Sequence, residues 1–197
     1  DGFLRVAAAT PDIRVADCNF NGASAAALVS EAYEQGVSLL VLPELCLTGY
    51  TCSDLFLQES LLDGAGKALL TLTEATRDKN MVVLAGLPLT VNGVLYNVAA
   101  VLHDGDILGF VPKSYLPTYS EFYEGRHYHS GADIETDVLF NGRTYPFGTR
   151  LLFRCRQMPA FTLGIEICED LWVAQPPSIS HALAGATVIA NLSASDE

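Results

Sequence analysis

Apolar positions along the chain fall into short blocks whose period switches between that of a strand and that of a helix. Phe3-Leu-Arg-Val-Ala-Ala-Ala9 reads as a buried strand. Ala25, Leu28, Val29, Ala32 and Tyr33 then recur at helical spacing, which predicts a helix over Asn19–Gln35 with Gly36 at its C-cap. Leu39–Leu42, within Ser38–Pro43, is apolar at every position, as in strands covered on both faces. Strand, helix and strand in this order form a βαβ unit.

The alternation continues. Leu55–Arg77 reads as a helix and Met81–Gly86 as a strand. Val94–Leu102 and Asp106–Val111 flank His103-Asp104-Gly105, where Asp-Gly signals a hairpin turn. A polar section rich in Tyr and Gly runs from Ser114 to Thr149. Strands resume at Leu151–Phe153 and Phe161–Ile167, and a short helix at Ser178–Ala184 leads to a strand at Thr187–Ala190. With no repeat, linker or low-complexity tract, this predicts one α/β domain over residues 1–197. Its sheet is expected to be mixed and largely antiparallel-capable, with helices outside. The last apolar strand meets Asn191–Glu197 without a closing helix, so the domain is expected to be incomplete at its C-terminal end.

Half the residues are hydrophobic and 17% are charged, in 197 residues, enough for a packed core. Eleven Lys and Arg against 23 Asp and Glu give a net charge of −12. That field repels phosphate backbones and anionic lipid, which argues against nucleic acid and membrane surfaces as partners. The longest apolar stretch, Val37–Leu47, is interrupted by Ser38, Pro43 and Glu44 and falls short of the ~20 residues of a membrane span. The start, Asp-Gly-Phe-Leu-Arg, has neither the basic region nor the apolar core of a signal peptide. Cys18, Cys46, Cys52, Cys155 and Cys168 are odd in number and lack a CxxC pair or a His at metal-ligand spacing. They read as reduced thiols of a cytoplasmic protein, with no metal site.

Three chemically distinct residues share one address, the end of an apolar strand. Glu44 follows Leu39–Pro43, Lys113 follows the second hairpin strand and Pro112, and Cys168 closes Phe161–Ile167. In α/β sheets, residues distant in sequence converge beyond the carboxyl ends of strands. The chemistry is complementary. A free thiol, with a pKa near 8.5, is a weak nucleophile at neutral pH, and a carboxylate beside it takes its proton as attack occurs. An ammonium and a backbone N–H then hold the oxyanion of a tetrahedral intermediate. The three together predict a thiol amidase with Cys168 as nucleophile, Glu44 as base and Lys113 as cation.

Each residue alone also has a plain structural reading: a buried thiol as a small hydrophobe, a capping carboxylate, a surface lysine. The pair Glu169-Asp170 reads by itself as solvated charge. A Cys–His dyad is the weaker enzyme reading, because none of His103, His127, His129 and His181 ends an apolar strand. A non-catalytic assembly domain is the reading from a different class.

The segments Leu42-Pro-Glu44-Leu-Cys-Leu-Thr-Gly-Tyr50, Pro112-Lys113-Ser-Tyr-Leu-Pro117 and Ile165-Glu-Ile-Cys168-Glu-Asp170 resemble the three signature blocks of the nitrilase, or carbon–nitrogen hydrolase, superfamily. Its Glu-Lys-Cys triad maps onto Glu44, Lys113 and Cys168. Pro112–Glu124, Cys168-Glu-Asp-Leu-Trp172 and Leu183–Ser195 are similar, more narrowly, to the glutaminase domains of the glutamine-dependent NAD+ synthetase family. Glu169 directly after the nucleophile fits that group, where stand-alone amidases usually carry an aromatic residue.

The resemblance implies an αββα sandwich that hydrolyses L-glutamine through a Cys168 thioester. It also implies that the ammonia amidates nicotinic acid adenine dinucleotide in a synthetase domain absent from this chain. ATP and Mg2+ would belong to that domain and no cofactor to this one. Tyr50, Tyr119, Phe122, Glu169, Trp172 and Ser195 would line the glutamine site, with Glu169 and Ser195 at the amino-acid end and the Glu169 N–H in the oxyanion hole. Glu121 is expected to be a second carboxylate beside Lys113. The family's glutaminase domains continue past the match, and a homo-oligomer is implied. A stand-alone amidase acting on another small amide is the alternative within the superfamily.

Overall fold

Two β-sheets lie face to face with helices on their outer sides, in a computed structural model that describes residues 2–195. Strand β1 (Val6–Ala8), helix α1 (Cys18–Glu34), β2 (Leu39–Val41), a 3-10 turn at Ser53–Leu57, α2 (Glu59–Ala75) and β3 (Val82–Val91) build two parallel crossovers. Asp17 opens α1 by accepting the Phe20 N–H at 3.0 Å, and Ala25, Val29 and Ala32 point one stripe inward. In α2 the stripe is Leu61, Ala65, Ala68, Leu69 and Leu72.

The sheet then turns antiparallel through β4 (Val94–His103) and β5 (Asp106–Pro112). After a short helix α3 (Glu124–His127), the hairpin β6 (Glu135–Phe140) and β7 (Arg143–Gly148) completes the order β1-β2-β3-β4-β5-β7-β6. Asn92-Gly93, Asp104-Gly105 and Asn141-Gly142 have positive φ at both residues, the geometry that two-residue hairpin loops require. The second sheet has the order β10-β9-β8, with β8 (Phe153–Arg154) antiparallel to β9 (Thr162–Ile167). Helix α4 (Pro177–Leu183) carries the chain to β10 (Val188–Leu192), parallel to β9.

Strands buried on both faces make this layering possible. Val83, Ala85, Leu87, Val98, Ala100 and Leu102 face the helix-side core with α1 and α2. Their neighbours Leu84, Ala99 and Val101 face the second sheet, where they meet Leu163, Ile165, Ile167 and Leu192. The result is the αββα sandwich. The single mixed sheet expected from apolar periodicity alone is in fact two sheets, because periodicity marks buried strands without saying which pair.

Two further differences bear on the site. Ser114–Thr149, expected to lack strands, holds the β6–β7 hairpin, whose residues are largely solvent-facing. The helix expected from Leu55 starts at Glu59, after the 3-10 turn. Among the described residues no helix is long and apolar enough to cross a membrane.

Candidate active site

Glu44, Lys113 and Cys168 lie just beyond β2, β5 and β9, and all three are buried (2%, 1% and 8% exposed). The backbone turns sharply at two of these points. Leu45, next to Glu44, and Cys168 itself adopt left-handed φ values of 51° and 45°, a conformation costing ~1–2 kcal/mol for a residue with a side chain. Packing holds the first turn. Opposite the first, Gly86 lies so close that a Cβ there would stand 2.2 Å from the Leu45 nitrogen and 2.7 Å from the Glu44 carbonyl carbon. Only glycine lets β3 pass the Glu44 turn at this distance.

The Lys113 Nζ donates to Glu44 Oε1 and to Glu124 Oε1, each at 2.6 Å. The side-chain amide of buried Asn97 on β4 donates to the same Glu44 Oε1 at 2.7 Å, and the Asn97 backbone carbonyl accepts the Lys113 backbone N–H at 2.8 Å. Glu44 Oε2 receives the Ala194 N–H at 3.3 Å. One oxygen of Glu44 is therefore held by an ammonium and an amide, while the other carries one longer bond. Cys168 Sγ lies 3.4 Å from Ser195 Oγ, so the segment just after β10 touches both the thiol and the carboxylate.

Charge and burial set the protonation states. Burial opposes the charge on Lys113, but Glu44 and Glu124 outweigh it and raise the lysine above its ordinary pKa. Burial chiefly, and then the charge of Glu44, push the Cys168 thiol up, against the opposing effects of Ser195 and Lys113. These shifts favour a neutral Cys168 thiol beside an ionised Lys113, and a thiol in that state attacks only when a base takes its proton.

Glu124 joins Glu44 on the ammonium, a partner that was not among the expected residues. Tyr50 donates to Glu124 Oε1 at 2.7 Å. Glu121 lines the adjoining cavity of about 220 Å³, together with Tyr50, Phe56, Glu124 and Tyr128. Burial raises the Glu124 pKa, with Lys113 opposing and Glu44 adding. No apolar periodicity marked Glu124, and two carboxylates three positions apart could not be told apart by sequence. Asn97 was missed too, because it sits inside an apolar strand.

The remaining expected residues surround this centre. Tyr119 and Phe122 pack edge-on at 5.7 Å, and Phe122 meets Tyr50 at 6.2 Å, forming an aromatic arc. The Tyr119 hydroxyl donates to Glu169 Oε2 at 2.9 Å. Trp172, 71% exposed, lies one turn beyond Cys168. Asp170, expected to be solvated with Glu169, is instead 1% exposed and accepts three backbone N–H groups. Three of the four histidines bond elsewhere: His103 with the Met81 carbonyl, His127 with Asp54 and His181 with the Thr149 carbonyl.

A sandwich with carboxylate, ammonium and thiol at its strand ends defines a class, and comparison with known proteins gives its name. Residues 5–196 match the carbon–nitrogen hydrolase family model, and the chain belongs to that family. It is 46% identical over 194 residues to the glutamine-dependent NAD(+) synthetase of Mycobacterium tuberculosis and 43% identical to that of Mycobacterium leprae. Each match covers 98% of this chain but only 29% and 28% of those relatives. Among solved structures, the glutamine-dependent NAD(+) synthetase from Cytophaga hutchinsonii superposes with a TM-score of 0.85 at 30% identity, covering 98% of this chain and 30% of that one. An amidase from Nesterenkonia sp. shares the fold, with a TM-score of 0.72 at 22% identity over 98% of this chain and 66% of its own.

Proposed function

We propose that this chain is the glutamine-hydrolysing part of a glutamine-dependent NAD+ synthetase. The observation that carries the reading is the buried Glu44–Lys113 pair beside Cys168, in a chain 46% identical to a protein of that name. The Cys168 sulfur attacks the glutamine carboxamide carbon as its proton passes to Glu44 Oε2, the oxygen left unengaged by Lys113 and Asn97. The carbonyl oxygen becomes an oxyanion, stabilised by the Lys113 ammonium and the Glu169 N–H; one such donor is worth ~3–4 kcal/mol of barrier. The C–N bond breaks, the nitrogen takes the proton from Glu44, and ammonia leaves a thioester on Cys168. Water, deprotonated by Glu44, then attacks the thioester and releases glutamate and the thiol.

Substrate recognition follows from what surrounds the thiol. The arc of Tyr50, Phe122 and Tyr119 flanks the glutamine methylenes, with Trp172 at the mouth. The Glu169 carboxylate, steadied by Tyr119, takes the α-ammonium group, and Ser195 holds the same end of the substrate. Glu121 borders the pocket beside Tyr50. The ammonia goes to a synthetase region outside these residues, where ATP and Mg2+ would act on nicotinic acid adenine dinucleotide. The whole assembly is proposed to be a cytoplasmic homo-oligomer.

The test is NAD+ formation by the intact protein with glutamine or with ammonium chloride as the nitrogen source. Cys168→Ala is expected to abolish the glutamine-dependent reaction and leave the ammonium-dependent one. Retention of glutamine-dependent synthesis would refute the assignment. Hydrolysis of short aliphatic amides with glutamine untouched would place the chain with the stand-alone amidases.

A further inference from the structure

Lys113 and Cys168 belong to different sheets, one ending β5 and the other ending β9, so something must fix the distance between them. Asp170 bonds to both strand ends. Its Oδ1 accepts the Ser114 N–H at 3.0 Å and the Tyr115 N–H at 2.8 Å, the two residues directly after Lys113. Its Oδ2 accepts the N–H of Ile167, the residue before Cys168, at 3.0 Å. The carboxylate is 1% exposed, so these bonds do not compete with bulk water.

We propose that Asp170 is a positioning residue that sets where the Lys113 ammonium stands relative to the Cys168 sulfur, without touching the substrate. It does so from both sides. Through Ile167 it braces the strand entering the strained Cys168 turn, and through Ser114 and Tyr115 it anchors the loop leaving Lys113. The opposite ends of these segments are already fixed, since the Lys113 N–H and C=O are bonded to Asn97 and Gly131 at 2.8 Å each. A carboxylate offers acceptors on both oxygens, which three converging N–H donors require. An asparagine of the same shape must turn its NH2 toward at least one of them.

The proposal rests on amide hydrolysis by Cys168, and the experiment separates the two. Asp170→Asn and Cys168→Ala are made in the intact protein, and glutamine hydrolysis and the pH dependence of Cys168 alkylation by iodoacetamide are measured. For Asp170→Asn we expect kcat to fall about 100-fold, as a displacement near 1 Å at a reacting centre produces, with KM within about threefold. The alkylation curve is expected to move to higher pH as Lys113 draws away from the sulfur. A kcat within about threefold of wild type with an unmoved curve overturns the proposal. Full glutamine hydrolysis by Cys168→Ala instead overturns the amidase reading, and the alkylation curve still decides the positioning role. Should Asp170→Asn not fold, amide hydrogen exchange in the unaltered protein decides. Protection of Ser114, Tyr115 and Ile167 by about 100-fold over an open loop supports the link, and open-loop exchange at Ser114 and Tyr115 overturns it.

Discussion

Lys113 and Glu124 meet at 2.6 Å with both side chains buried, and Glu44 meets the same ammonium at the same distance. One cation therefore serves two carboxylates. Its charge survives burial because both oppose the desolvation penalty, and their combined pull raises its pKa. Glu124→Gln keeps the shape and one hydrogen bond but removes one of the two negative charges behind that pull. The lysine pKa then falls, and the protonated form is lost earlier as pH rises. The alkaline limb of the kcat profile is expected to move to lower pH, measured between pH 7 and 11 in the intact protein. An unmoved limb would mean that Glu44 alone holds the charge.

Removing the cation has a different signature. Lys113→Met leaves Glu44 and Glu124 buried side by side without compensation, and breaking a buried ion pair in this way costs about 3–5 kcal/mol. Urea unfolding is expected to show a loss of that order at pH 8. At pH 5 the loss shrinks, because Glu124, already raised by burial, takes up a proton and relieves the repulsion. A loss independent of pH would place its origin in packing.

The parts of this site that were legible in sequence share one property: each follows the end of a strand rich in apolar residues. Leu39–Leu42 and Phe161–Ile167 announced Glu44 and Cys168, and the Asp104-Gly105 hairpin announced Lys113. The division into two sheets was not legible from periodicity, because β3 and β4 are buried on both faces whichever layer covers them. The hairpin β6–β7 was missed because β6 exposes most of its residues, leaving Asn141-Gly142 as its signal. Glu124 was not singled out and Asp170 was read as solvated for a shared reason: nothing adjacent in sequence distinguishes a buried carboxylate from a solvated one. Their burial comes from partners distant in the chain, Tyr50 for Glu124 and Ser114 and Tyr115 for Asp170.

Gly86 shows how backbone packing enters the chemistry. An added Cβ would strike backbone atoms of Glu44 and Leu45, which cannot rotate away as a side chain can. Gly86→Ala is therefore expected to push the Glu44 turn outward. A shift of about 1 Å at Glu44 is expected to lower kcat by about 100-fold, while the overpacking costs about 1–3 kcal/mol of stability. Steady-state kinetics with thermal unfolding of the same samples checks both. A variant with normal kcat and reduced stability would show that the strain is absorbed away from Glu44.

Asp170 links stability to pH with a sign that can be worked out. Burial raises its pKa to about 7, against the backbone N–H donors and Lys113, which favour the ionised form. In the unfolded chain the same carboxyl titrates near pH 3.9. Between those values the folded protein holds a proton that the unfolded chain has lost. The stabilising contribution is thus fully present below about pH 4 and is lost as pH rises through about 7, at about 1.4 kcal/mol per pH unit. Asp170→Asn cannot titrate, so the stability of wild type minus variant is expected to decline across that window by a few kcal/mol and to level off above it. The ionised form is also the one with acceptors on both oxygens for the three N–H groups, so the pH at which this carboxylate costs most stability is the pH at which it ties Lys113 to Cys168. Urea unfolding of both proteins from pH 4 to pH 8 checks the slope, and a constant difference would mean that Asp170 is ionised throughout.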